Sequence, residues 1–284
     1  MVSTGQVLSP AEPEPTGSTS NDQSAPLLEL RGVNKRFGAV QALRGVDLVV
    51  PGGQVTALAG DNGAGKSVLI KTIAGIHGAD GGQVLWNGRA VHVRSPRDAA
   101  ALGIETVYQD LALCDNLDIV QNMFLGRERT SSALLDEEAM ETSARETLTS
   151  LSVTTVRSIR QPVASLSGGQ RQAVAIAKSV LWNSKLVIMD EPTAALGVAQ
   201  TAMVLDLVRR LADRGLAVMI VSHNMNDVFQ VADRLAVLYL GRMVAAGPAD
   251  QFDRQIVVDY MTTGESRRRR DDAGPVPPAG EVAR

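Results

Sequence analysis

The 284-residue sequence contains a single cysteine, Cys114, and three histidines. One thiol excludes a disulfide framework, and so few Cys and His residues leave no zinc module. Long apolar runs are also missing, since the longest, such as Leu216–Val221, reach six residues. A bilayer span needs about 20, so no segment is expected to cross a membrane. The N-terminus carries neither a basic stretch nor an apolar one behind it, so secretion is not indicated and a reducing cytoplasm is expected. A basic excess is lacking too: 28 Lys and Arg stand against 31 Asp and Glu, a net charge of −3. Without a positive field, nucleic acid is not an expected partner.

What is present suits a globular domain, with 44% hydrophobic residues. Residues 1–26 hold four prolines and no Lys or Arg, and residues 264–284 hold Arg267–Arg270, Asp271, Asp272 and three further prolines. Both segments are expected to be disordered tails, because they offer too little apolar surface to offset ordering entropy. The Arg run reads as a solvated tail, with a membrane-surface contact as the sharper alternative. Between the tails, residues 27–263 show no internal repeat and have the size of one domain.

Strand-like and helix-like segments alternate through that domain, the pattern of an α/β fold. Leu27–Val33, Leu43–Val50 and Val55–Ala59 read as strands and Val68–Ala74 as helix. From Gln170 the order is helix to Leu181, strand Leu186–Met189, helix near Ala199–Leu211, strand Ala217–Val221 and helix near Met225–Ala232. Continuously apolar strands such as Leu186–Met189 indicate a parallel sheet covered on both faces. The stretch from about Leu111 to Ser165 breaks the rhythm with polar helices and no clear strand, and reads as a helical insertion.

Gly60-Asp61-Asn62-Gly63-Ala64-Gly65-Lys66-Ser67 fits G-x-x-x-x-G-K-[ST] between a strand and a helix. Its glycines let successive backbone amides cradle phosphate oxygens, and the following helix adds its positive end. Lys66 is expected to reach the β- and γ-phosphates and the Ser67 hydroxyl to ligate magnesium. A serine-capped glycine turn is the bland alternative. Such a loop does not separate a kinase from a GTPase or an ATPase motor.

Four other segments carry chemistry. Leu166-Ser167-Gly168-Gly169-Gln170 places bare amides at a helix start, a second phosphate-binding surface or simply a serine N-cap. Leu186–Met189 delivers Asp190 and Glu191 to a strand end, as working carboxylates or as a solvated helix cap. His223 follows the strand Ala217–Val221, where a lone histidine is more often structural. Gln109 follows Val107-Tyr108, and Phe37 follows Lys35-Arg36, where an isolated aromatic would be read as packing.

In this order and spacing the motifs resemble those of ATP-binding cassette (ABC) ATPases, over about residues 27–263. The resemblance implies a P-loop NTPase (RecA-like) core with an N-terminal antiparallel β subdomain and an inserted α-helical subdomain at about 111–165. It implies ATP and Mg2+ as ligands. Gly60 to Val68, Phe37, Gln109 and Ser167 to Gln170 would bind nucleotide, and Ser67, Gln109 and Asp190 would attend the metal. Glu191 would act as general base, with His223 and Lys66 completing the catalytic set. The signature and the phosphate loop serve each other across a head-to-tail dimer, so a homodimer is implied. Two departures stand out. Val68 replaces the usual hydroxyl residue and removes a donor to the α-phosphate, which lowers the expected nucleotide affinity. Ala194-Ala195-Leu196-Gly197 lacks the aspartate with which that loop usually ends.

Tyr108–Glu128, together with GDNGAGKS and EPTAALG, is similar to the ATPases of bacterial monosaccharide importers of the ribose, xylose and fructose kind. This implies integral membrane permease subunits as partners, a periplasmic or lipid-anchored sugar-binding protein as an indirect one, and a cytoplasmic position against the inner face of the membrane. Two other readings remain: a soluble cassette ATPase in repair or assembly, and a nucleotide-responsive regulatory module of a transporter.

Overall fold

In a computed structural model of the protein, residues 25–265 apart from Ala133 and Thr154 are described. The tails expected at 1–26 and 264–284, with Arg267–Arg270, lie outside these residues except at their inner ends.

The chain opens with β1 (Leu28–Phe37), β2 (Val40–Val50) and β3 (Val55–Ala59), followed by α1 (Lys66–Ile73). Next come β4 (Gly81–Trp86), β5 (Arg89–Val91), α2 (Pro96–Leu102) and β6 (Ile104–Val107). The middle of the chain holds α3 (Ile119–Phe124), β7 (Thr130–Ser131), β8 (Leu134–Leu135) and α4 (Glu137–Ser150). Then follow α5 (Gly168–Val180), β9 (Leu186–Asp190), α6 (Val198–Asp213), β10 (Ala217–Val221) and α7 (Met225–Val231). The last elements are β11 (Arg234–Tyr239), β12 (Arg242–Pro248) and α8 (Arg254–Thr263).

β2-β1-β4-β5 form an antiparallel sheet, and β12-β11-β3-β10-β9-β6 form a second one whose strands are parallel except for β12. Side-chain alternation assigns the parallel strands to two cores, because successive residues of a strand face opposite sides. Leu186 and Ile188 of β9, and Ala217, Met219 and Val221 of β10, join the core shared with Leu28, Leu30, Leu43 and Leu48 of the antiparallel sheet. Val187 and Met189, with Val218 and Ile220, face the opposite core under α5 and α6. Both faces are therefore covered, which accounts for the unbroken apolar strands.

The helical segments in the middle of the chain are fixed locally by caps. Asp118 and Ser167 each accept from the third helical amide of α3 and α5, and Gln121 and Gln170 return the bond, closing capping boxes. Asp136 caps α4, whose Met140, Ala144 and Leu148 form one buried stripe at four-residue spacing. Phe124, fully buried, meets Trp182 edge to face at 5.5 Å and anchors this region to the chain after α5. Fully burying such a side chain contributes about 1.5–3 kcal/mol.

The stretch 111–165 is not free of strand. β7 and β8 pair as a two-residue ladder, Thr130 with Leu135 and Ser131 with Leu134. Leu134 and Leu135 are both exposed, so pairing creates this ladder without any apolar alternation to announce it.

Candidate functional site

Strand register brings the site together. Val221 of β10 lies opposite both Leu58 of β3 and Asp190 of β9, Met189 lies opposite Val107 of β6, and Ala59 lies opposite Val237 of β11. The carboxyl ends of these strands are thus level, and the residues that follow emerge along one edge. That edge is where open α/β sheets bind ligands.

The loop after β3 has the shape of an anion cradle. Lys66, buried at 9% exposure, turns its Nζ inward onto the carbonyls of Gly60 at 2.7 Å and Asp61 at 3.1 Å. Asp61 holds the loop's outer turn, its carboxylate accepting from Asn62 N–H and its carbonyl from Ala64 N–H. Among the described residues, the amides of Gly63, Gly65, Lys66 and Ser67 have no backbone acceptor. Four unmatched donors around an ammonium fit phosphate oxygens. Gly60 is needed because a Cβ would sit 2.5 Å from the Leu238 carbonyl. Gly65 adopts φ +105°, with the Ala42 carbonyl 3.0 Å from a Cβ position. Ser67 is exposed at the mouth, whereas Val68 is half-buried against the core below.

Asp190 ends β9 half-buried. Burial pushes its carboxyl pKa up and the Glu191 charge adds to this, while Lys66 and Lys71 pull it down. Lys66, Asp190 and Glu191 therefore share one electrostatic neighbourhood. Tyr108 joins it, its hydroxyl pKa raised by burial and by the Asp190 charge against a hydrogen bond to Thr106. Gln109, next in sequence, is exposed.

Glu191 sits at φ +50° with its N–H on the Val221 carbonyl at 2.9 Å. A left-handed conformation in a residue with a Cβ costs about 1–2 kcal/mol, so its surroundings must hold it. The turn brings Glu191 Oε1 within 2.8 Å of His223 Nδ1. The carboxylate is 14% exposed and the imidazole 66%, so the pair presents a sheltered acceptor beside an open ring.

Ser167, Gly168, Gly169 and Gln170 lie at the start of α5, and none of their side-chain hydrogen bonds reaches the sheet edge. Ser167 and Gln170 bond to each other's backbone, and Gln170 Nε2 donates to the Thr155 carbonyl at 2.6 Å. The glycines also have a packing reason: a Cβ on Gly168 would meet Leu196, and one on Gly169 would meet Gln200 and Met203, each at 3.0 Å. Phe37, at the end of β1, is 43% exposed and stands edge-on to His77 at 5.1 Å, with Lys35 Nζ 5.4 Å from its ring.

A family profile described as ABC transporter matches residues 43–194, more than half of the chain. The chain belongs to this family. It is 46% identical to the xylose/arabinose import ATP-binding protein XylG of Sulfolobus acidocaldarius, covering 84% of this chain and 94% of that protein. Against the fructose import ATP-binding protein FrcA of Rhizobium meliloti the identity is 45%, with the same coverage of 84% and 94%. It spans 50% of the ribose import ATP-binding protein RbsA 1 of Rubrobacter xylanophilus, at 41% identity over 88% of this chain. An ABC transporter's ATP-binding cassette in its ADP conformation superposes with a TM-score of 0.73 at 27% identity, covering 82% of this chain and 95% of that one.

The α/β cassette fold and ATP as ligand follow from membership. No helix among the described residues is long and apolar enough to cross a membrane. Three side chains given no role in the sequence reading make contacts next to the site residues: His77 stands edge-on to Phe37, and Thr193, within EPTAALG, donates to Asp227 in the helix after His223. Thr193 stands two positions from Glu191 in the sequence, a local signal. Asp227 carries none, because its contact with Thr193 spans 34 residues.

Proposed function

We propose that this chain is the ATP-hydrolysing subunit that energises a monosaccharide importer, working as a homodimer on integral membrane permease subunits at the inner face of the membrane. The observation that carries the hydrolytic part is the level strand edge that gathers Lys66, Asp190, Glu191 and His223, with Glu191 and His223 in contact at 2.8 Å. The sugar assignment rests on the import proteins for xylose/arabinose, fructose and ribose that resemble it. Those names also favour transport over a repair or assembly role. A sugar-binding protein on the far side of the membrane completes the reading. We assign the cassette to residues 27–263, with its helical lobe at about 111–165.

In the proposed mechanism Gly60 to Val68 wrap the phosphates, and Lys66 neutralises charge that develops on the γ-phosphoryl oxygens. Phe37 offers its exposed ring to the base. Glu191 accepts the proton of the attacking water. His223, its Nδ1–H donated to Glu191, keeps that carboxylate aimed. Ser167 to Gln170 meet the nucleotide held by the partner copy. Ser67, Asp190 and Gln109 would hold Mg2+, and the donor chemistry fits: these are hard oxygens, and Asp190 is a half-buried carboxylate whose pKa burial and the Glu191 charge push up. When bound, Mg2+ supplies charge neutralisation at the phosphates.

The test is recovery from membranes with the permease it serves, followed by uptake of labelled xylose, arabinose, fructose and ribose. Uptake of one of them that disappears with Lys66→Ala is expected. A strictly soluble complex, or sugar uptake unaffected by Lys66→Ala, would overturn the reading.

A further inference from the structure

The loops carrying Glu191 and His223 leave neighbouring parallel strands, since Asp190 of β9 is paired with Val221 of β10. They are joined at the 2.8 Å contact between the two side chains and by the Glu191 N–H on the Val221 carbonyl. A third link lies beyond them. Thr193 Oγ1 donates to Asp227 Oδ2 at 2.6 Å, and Asp227 is only 7% exposed. That distance is at the short end for an O–H···O hydrogen bond.

The local sequence of α7 accounts for where Asp227 points. Asn224 is the N-cap, which makes Asp227 the third helical residue. An acidic residue there commonly folds back to accept the cap residue's own N–H. In α7 that N–H is already donated to Ser222 Oγ at 3.0 Å, and the Asn224 side chain accepts from Asn226 N–H at 3.0 Å. The cap is complete without Asp227, so its carboxylate reaches out of the helix to the other loop. The link joins the residue two positions after Glu191 to the residue four positions after His223. Glu191 has an unfavourable φ of +50°, so contacts of this kind decide where its carboxylate lies.

We infer that Thr193 and Asp227 are positioning residues for ATP hydrolysis, their hydrogen bond fixing the spacing at which the Glu191 carboxylate and the His223 imidazole meet. The inference rests on the proposed roles of Glu191 and His223. Neither Thr193 nor Asp227 need touch nucleotide, so losing the link lowers kcat and leaves KM for ATP in place. Small misplacements of reacting groups cost up to about 100-fold in rate.

Steady-state hydrolysis by the full chain tests this with three variants. Thr193→Val removes the donor at nearly constant volume and is expected to lower kcat about 10-fold with KM for ATP within about twofold. Thr193→Ser restores the hydroxyl and is expected to recover most of the rate. Asp227→Asn keeps the volume and a neutral acceptor, so it stays folded and falls between. The Thr193→Val, Asp227→Asn double variant drops no further than the worse single one, as residues sharing one bond require. Hydrogen exchange on the nucleotide-free chain gives a readout apart from turnover, with the Glu191 amide exchanging faster in Thr193→Val. A full kcat in Thr193→Val, a raised KM at constant kcat, or failure of serine to rescue would each overturn the inference. Glu191→Gln separates the two levels. Should it turn over normally, the assignment of the base fails; should it be inactive while Thr193→Val is fully active, only the positioning role fails.

Discussion

His223 Nδ1 lies 2.8 Å from Glu191 Oε1, across the boundary between two adjacent parallel strands. A carboxylate only accepts, so Nδ1 carries the hydrogen of this contact. In the proposed mechanism the pair divides two tasks: the sheltered carboxylate takes a proton, and the open imidazole orients it.

Glu191→Gln keeps size and shape but removes the acceptor charge. Turnover is expected to fall by about 100- to 10,000-fold, the range general-base catalysis contributes. His223→Ala is expected to lose about 100-fold, because the carboxylate remains but is no longer held. Binding of a fluorescent ATP analogue should stay within about threefold in both variants, since neither change touches the phosphate loop. A comparable loss of binding would mean that these residues hold ground-state nucleotide instead.

Asp190 leads to a stability test with a definite sign. Its carboxyl is raised from the ordinary 3.8 by burial first and by the Glu191 charge second. The folded state therefore holds its proton more tightly than the unfolded chain, and stability falls as pH rises through the raised folded value. Above that raised value the nucleotide-free chain bears the full cost of the ionised group. Asp190→Asn removes that cost, so its Tm should exceed that of the parent at pH 7–8, by about 2–4 °C for each kcal/mol relieved. The advantage should shrink as the buffer is brought down toward pH 4. Scans over that pH range check it, and a Tm difference constant with pH would rule out the buried Asp190 charge as its origin.

Residues 60–67 were legible in the sequence because the cradle is local: glycines, lysine and hydroxyl stand in one stretch, and no distant contact is needed to specify them. Asp190 and Glu191 were legible through the strand before them. The pairing of Glu191 with His223 was not, since it depends on β9 and β10 being neighbours in register. β4 and β12 escaped for another reason: GGQVLW and RMVAAGP carry little apolar alternation, and their partners β1 and β11 define them as strands. α2, by contrast, did carry a local signature in Ser95-Pro96-Arg97-Asp98, which forms a capping box with proline in the first turn.

Gly169 offers a test of the α5–α6 contact. A Cβ there meets Gln200 Cβ and the Met203 methyl at 3.0 Å, tighter than ordinary contact. Met203 can swing away but Gln200 Cβ cannot, so Gly169→Ala is expected to push the start of α5 away from α6 by a few tenths of an ångström. Overpacking of this kind costs about 1–3 kcal/mol. The nucleotide site proposed for the chain lies elsewhere, at residues 60–67. ATP binding to the isolated chain should therefore hold while turnover, which in the proposed dimer uses the signature of a second copy, declines. Equal losses in both measurements would place the signature at the chain's own nucleotide.

Val68 is the departure from the family pattern that a single substitution can reverse. It is half-buried, packing against the cluster that includes Leu69, Ile70 and Ile73, and it follows the Ser67 hydroxyl at the start of α1. Threonine has nearly the same shape, but Val68→Thr exchanges one partly buried methyl for a hydroxyl and costs about 1 kcal/mol of stability. In return the hydroxyl gives the α-phosphate a donor, and hydrogen bonds to charged groups contribute about 1.5–3 kcal/mol before the loss of water contacts is complete. The net expectation is a gain of about 3- to 10-fold in ATP affinity with a slightly lower Tm, the two effects having opposite signs because one is local packing and the other ligand recognition. Titration of the nucleotide-free chain with ATP, alongside thermal unfolding, measures both. Unchanged affinity with the same drop in Tm would show that the side chain at position 68 faces the core alone, and that the loop's amides and Lys66 already satisfy the phosphates without it.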